Sequence, residues 1–140
     1  MIKHSKLPNN IQDLLIHAQT YLQARKDVRF AYLFGSLAKR KPSDLSDVDI
    51  AVYLSEDADI VEKKIEILGK LIELLDTDEI DLVILNSAPL TLKMRILEAK
   101  QVIVDNAPFL RHAYESLTMR EYFDFSVRET TILKRRFLHG

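Results

Sequence analysis

Four short apolar runs, separated by longer segments with helical periodicity, set the strongest limit on what this chain can fold into. They are "VRFAYLF" (28–34), "DVDIAVYL" (47–54), "EIDLVILN" (79–86) and "QVIVD" (101–105). Each is rich in β-branched or aromatic residues, the composition of a buried strand. Before the first run, Ile11, Leu14, Leu15, Ala18 and Leu22 recur at helical spacing, with Asn9 or Asn10 placed to cap the start. "LAKRK" (37–41) can form a short helix that Pro42 stops. Between the second and third runs, Ile60, Ile65, Leu68, Leu71, Ile72 and Leu75 predict a helical stripe, and "PLTLKMRILEAK" predicts a helix with Pro89 in its first turn. From Asn106 to Gly140 the pattern is long and mostly helical. The order predicts an α/β (α+β) fold, a small mixed sheet flanked by helices with a helical C-terminal tail.

At 140 residues the chain suits a single domain, 1–140, with an α/β core over 1–105 and a tail over 106–140 that is a candidate partner-docking segment. Tyr122, Phe123 and Phe125 cover more than one face of that tail; aromatics in such a helix more often belong to the core, but some of these are left for a partner. With 20 basic against 21 acidic residues, bulk charge gives no drive toward nucleic acid, so direct nucleic-acid binding is not expected. The absence of cysteine rules out disulfides and thiolate metal sites. No apolar run approaches a membrane span or a signal peptide, so a cytoplasmic protein with no membrane partner is expected. The four histidines are scattered without metal-ligand spacing.

The chemistry gathers at 35–49. Side chains alternate along a strand, so Asp47 and Asp49 share one face while Val48, Ile50 and Val52 point into a core. Neighbouring carboxylates repel unless a cation lies between them, and Mg²⁺ takes one or two carboxylates together with substrate phosphates. Asp81 lies inside another apolar run, and if that strand flanks the first, three carboxylates converge. Such a set can hold two Mg²⁺ ions for in-line attack at phosphorus, with Asp81 on the side of the attacking hydroxyl. Gly35 would let backbone approach a phosphate, Ser36 would add a hydroxyl at a helix start, and Lys39 and Arg40 would add positive charge. Taken singly, each feature has a plainer reading: an ordinary turn, a solvated strand start, an edge carboxylate, a soluble helix face. Their joint spacing between strands is what favours a site.

A Gly-Ser pair, ten residues, then Asp-x-Asp resembles the signature of the DNA-polymerase-β-like nucleotidyltransferase superfamily, with Gly35, Ser36, Asp47 and Asp49 at the motif positions and Asp81 at that of the third carboxylate. The small size resembles the minimal nucleotidyltransferase (MNT) branch, which includes MntA-type antitoxins of HEPN toxin–antitoxin pairs. Many relatives have Arg where this chain has Lys39, followed by Gly where it has Arg40. The resemblance implies a nucleotidyltransferase fold and a Mg²⁺-dependent transferase with ATP as substrate. It implies the antitoxin of a type VII-like pair, passing AMP to a tyrosine of a HEPN-family ribonuclease toxin and so neutralising it. A small-molecule nucleotidyltransferase, of the kind that modifies aminoglycosides, and a non-catalytic antitoxin acting by binding alone are the alternatives.

Overall fold

The structure is a computed structural model and describes residues 7–35, 37–38 and 47–139. The elements follow the order α1 (Ile11–Ala24), β1 (Val28–Phe34), β2 (Val48–Leu54), α2 (Ile60–Leu75), β3 (Ile80–Ile84), a single 3₁₀ turn (Leu85–Ser87), α3 (Leu90–Ala99), β4 (Gln101–Asp105) and α4 (Pro108–His139). The four strands form one mixed sheet in the order β3-β2-β1-β4. β1 runs antiparallel to β2 and β4, whereas β2 and β3, joined through α2, are parallel. Among the described residues no helix is long and apolar enough to cross a membrane.

Strand alternation divides the core into two layers. On one face Leu33, Val48, Ile50, Val52 and Leu82 pack against Ala18 and Leu22 of α1 and Ile67, Leu71 and Leu75 of α2. On the other, Phe30, Tyr32 and Ala51 pack against Leu85, Ile96 and the half-buried Leu92 and Tyr114. Phe30 stacks on Tyr53, with ring centroids 4.8 Å apart. Burying side chains of this size contributes about 2–3 kcal/mol each, so both layers matter to stability.

Several local expectations are revised. Asn10 is the N-cap of α1, but through its backbone: its carbonyl accepts from the N–H of Asp13 and Leu14, and its side chain makes no cap bond. Pro89 is the residue before α3 rather than inside its first turn, where its extended backbone ends the loop. The third strand stops at Ile84. Asn86 follows it and pairs with the end of β2, donating to the Leu54 carbonyl at 2.8 Å and accepting from the Leu54 N–H at 2.9 Å. Leu37 and Ala38 form a turn, and the remainder of the expected 37–41 helix lies outside the described residues.

Of the stripe expected in α2, Leu71 and Leu75 are buried, but Ile65 and Ile72 are exposed, and Ile67, outside that stripe, is the third buried residue. Ile65 is about 200° around the helix from Ile67, and it is 68% exposed. A second apolar stripe, Val61, Ile65, Leu68 and Ile72, therefore runs beside the buried one.

The tail is a single helix of 32 residues, about 48 Å long. Its first turns dock through a polar network. Glu115 accepts from the Tyr32 hydroxyl at 2.6 Å, from Lys100 Nζ at 2.8 Å and from Arg111 Nη1 at 3.2 Å. Arg111 also grips Asp105 in a bidentate pair at 2.9 and 3.0 Å. Burial and the Glu115 bond both push the Tyr32 hydroxyl far above its ordinary value, keeping it a donor. Beyond this network Phe123 is 67% exposed, Phe125 is also exposed, and Tyr122 is half-buried. Phe109, at the start of the helix, is exposed as well.

Candidate active site

The candidate site sits at one end of the sheet, on the face that carries Phe30 and Tyr32. Asp47 is the last residue before β2 and Asp49 the second within it. Val48 and Ile50, on either side of Asp49, are fully buried in the opposite layer, which fixes the carboxylate face by parity. β2 and β3 are paired with Asp49 directly beside Asp81. Cα partners in adjacent strands are about 4.8 Å apart and present side chains to the same face, so Asp49 and Asp81 stand side by side. Asp81 is exposed.

Gly35 closes the other side. It follows β1 with φ +74°, a left-handed conformation that glycine alone adopts without strain. A β-carbon there would collide with Asp49 Oδ2 and stand 3.1 Å from Cγ. Backbone and carboxylate thus share a space that no side chain at position 35 can enter. Ser36, Lys39 and Arg40 lie outside the described residues.

Two residues that sequence reasoning overlooked belong to this end of the sheet. Glu79 extends the parallel register to lie opposite Asp47, and its carbonyl accepts from the Val48 N–H at 2.9 Å. Its buried Oε1 has no hydrogen-bond partner among the described residues. The signal was present: Glu79-x-Asp81 repeats the spacing of Asp47-x-Asp49. Arg95, on α3, lines a cavity of about 360 Å³ with Phe34, Gly35, Leu92 and Glu98. It forms no ion pair with a described residue, and nothing in "LKMRILEAK" marked it out.

A second depression of about 530 Å³ opens on the far side, along β3, lined by Asp81, Val83, Pro89 and Leu92 and by Val61, Lys64 and Ile65 of α2. Leu92 borders both cavities. The carboxylates therefore lie in a row between two depressions, one reached past Gly35 and the other past Asp81.

Among the described residues no three His, Asp or Glu side chains meet closely enough to hold a metal ion. The donor set still suits a hard cation: carboxylates paired across adjacent strands repel unless positive charge is brought between them. The close contact of Asp49 with the Gly35 backbone sets that carboxylate beside the cavity lined by Gly35 and Arg95, whose guanidinium suits phosphate oxygens.

The sequence pattern of the family described as "Polymerase beta, Nucleotidyltransferase" matches residues 17–108. No curated protein matches the chain in sequence. Among solved structures it is similar to a chain of a toxin–antitoxin crystallised with AMP-PNP, at TM-score 0.69 and 24% identity, covering 88% of this chain and 95% of that one. It is also similar to a chain in the complex of a tri-AMPylated Shewanella oneidensis HEPN toxin with its MNT antitoxin, at TM-score 0.63 and 22% identity, covering 89% and 93%. A chain in a toxin–antitoxin MntA–HepT crystal structure aligns at TM-score 0.63 and 22% identity, covering 91% and 97%.

Proposed function

Because this chain belongs to the polymerase β nucleotidyltransferase family, we propose that it is an antitoxin that transfers AMP from ATP to a tyrosine hydroxyl of a HEPN ribonuclease toxin. The observation that carries the transferase reading is the parallel pairing of Asp49 with Asp81 beside the Gly35 backbone. The antitoxin reading is supported by the similar complexes, one pairing an MNT antitoxin with a tri-AMPylated HEPN toxin and another a toxin–antitoxin holding AMP-PNP. The match covers 89% of this chain.

In this reading the triphosphate enters past Gly35, against Ser36 and the positive charge of Lys39, Arg40 and Arg95. Asp49 and Asp81, side by side across β2 and β3, would hold Mg²⁺ together with phosphate oxygens, with Asp47 drawn in as the ion binds. When bound, that cation would supply charge neutralisation at the phosphates and ease deprotonation of the acceptor. Asp81, beside the opposite depression, orients the acceptor hydroxyl and takes up its proton. The hydroxyl oxygen forms a bond to the α-phosphorus, the bond from that phosphorus to the bridging oxygen breaks, and pyrophosphate leaves with the electron pair.

The test is the intact mass of a purified HEPN-family toxin, after incubation with the chain, ATP and Mg²⁺. An AMP increment that is lost with Asp49→Asn and Asp81→Asn is expected. An unmodified toxin that is nevertheless neutralised by the Asp49→Asn/Asp81→Asn protein would leave inhibition by binding alone.

A further inference from the structure

The edge of the sheet beside Asp81 is built differently from the opposite one. β4 is covered: Gln19 of α1 donates to the Ile103 carbonyl at 2.8 Å, and Arg111 of α4 holds Asp105. β3 pairs, among the described residues, with β2 alone. Since the Glu79 carbonyl is turned toward β2, alternation turns the N–H and C=O of Ile80, Leu82 and Ile84 outward. A row of outward main-chain groups is a template for another strand.

The walls of this edge are apolar where solvent would favour polar side chains. Val61 is 70% exposed and Ile65 68%, one turn apart on the second stripe of α2. Pro89 and Leu92 form the opposite wall. Lys64, between Val61 and Ile65, forms no ion pair with a described residue and supplies a lone positive charge on the wall. The groove runs along β3 and opens at Asp81.

We propose that this groove binds an extended, tyrosine-bearing segment of the acceptor protein, added to β3 as a fifth strand, with apolar side chains against Val61 and Ile65 and an acidic one near Lys64. The proposal rests on the transferase reading for what the docked segment undergoes, but not for the docking. The outward main-chain groups select an extended occupant over a helix, and Lys64 selects one with negative charge. Continuity of the groove with Asp81 brings a hydroxyl on that segment to the carboxylate row. Strand addition takes its affinity from main-chain bonds and its selectivity from pockets for alternate side chains.

The probe is a capped octapeptide alternating valine with tyrosine and glutamate, titrated into the isotope-labelled full chain. Amide signals of Ile80, Leu82 and Ile84 should shift and gain protection from exchange. Val61→Glu/Ile65→Glu should weaken binding at least about tenfold, with no change in melting temperature because both side chains are already exposed. N-methylation of alternate peptide residues should abolish binding. The proposal is overturned if the N-methylated peptide binds equally, if the shifts gather on α4, if α2 responds without β3, if the peptide does not bind at its solubility limit, or if the edge is taken by a second copy of the chain, seen as concentration-dependent dimerisation. Adding ATP and Mg²⁺ separates the two readings. A bound but unmodified peptide counts against transfer and leaves the groove standing, whereas equal modification by the Val61→Glu/Ile65→Glu chain removes the groove and leaves transfer standing.

Discussion

Gly35 and Asp49 are packed so closely that a methyl group at position 35 would overlap the carboxylate of residue 49. Gly35→Ala therefore meets two obstacles, a left-handed backbone (φ +74°) that costs on the order of 1–3 kcal/mol for other residues, and a displaced Asp49. A melting temperature lower by several degrees is expected, together with a loss of AMP transfer of about a hundredfold or more, since small misplacements of reacting groups are costly. Transfer at the wild-type rate would show that the Asp49 rotamer is immaterial.

Arg95 lines the cavity on the Gly35 side and is exposed. If it meets the triphosphate, Arg95→Ala should raise the KM for ATP about tenfold, leave kcat within a small factor and leave the melting temperature unchanged. Steady-state kinetics at varied ATP read this directly. A fall in kcat at constant KM would instead place Arg95 near the reacting centre.

Glu115 predicts an acid limb of stability. Burial opposes its ionisation, but hydrogen bonds from Lys100, Tyr32 and Arg111 outweigh it and hold the carboxyl below its ordinary value of 4.5. Asp105 is lowered too, chiefly by its Arg111 bond. A depressed carboxyl stabilises the fold fully above the unfolded value. That contribution is lost as pH falls through the folded one, because the unfolded chain takes up the proton first. Denaturant unfolding should show stability constant toward neutrality and dropping below about pH 4.5. In Glu115→Gln the drop should be shallower, and stability at neutral pH lower by about 1–3 kcal/mol because Lys100 and Arg111 lose a shared partner.

α4 divides into a docked and an undocked part. Tyr114, Glu115 and Thr118 face the core, whereas Phe123, Phe125, Val127, Ile132 and Leu133 are exposed. Ending the chain after Glu121 should lower the helical circular dichroism signal and leave the melting temperature within a few degrees. A collapse of stability would mean that the distal half packs on the core in solution.

Much of this architecture was legible in sequence because it depends on local periodicity. The start of "DVDIAVYL" alternates acidic with apolar residues, so the shared face of Asp47 and Asp49, opposite buried Val48, Ile50 and Val52, follows from the pleat alone. The strand–helix order and the long helical tail follow from spacing in the same way. The left-handed turn at Gly35 is consistent with a glycine at the end of a strand.

Periodicity is silent on which elements become neighbours. Only the sheet decided that β3 lies parallel to β2 with Asp81 beside Asp49, that Glu79 comes to stand across from Asp47, and that Arg95 of α3 reaches the cavity behind Gly35. In α2 two apolar stripes were available, and packing against the strands chose Ile67, Leu71 and Leu75, leaving Val61 and Ile65 on the open edge. The amino-acid order fixes each side chain's direction relative to its own backbone. Contacts between distant segments depend instead on burial summed over the whole core, which no short window of sequence contains.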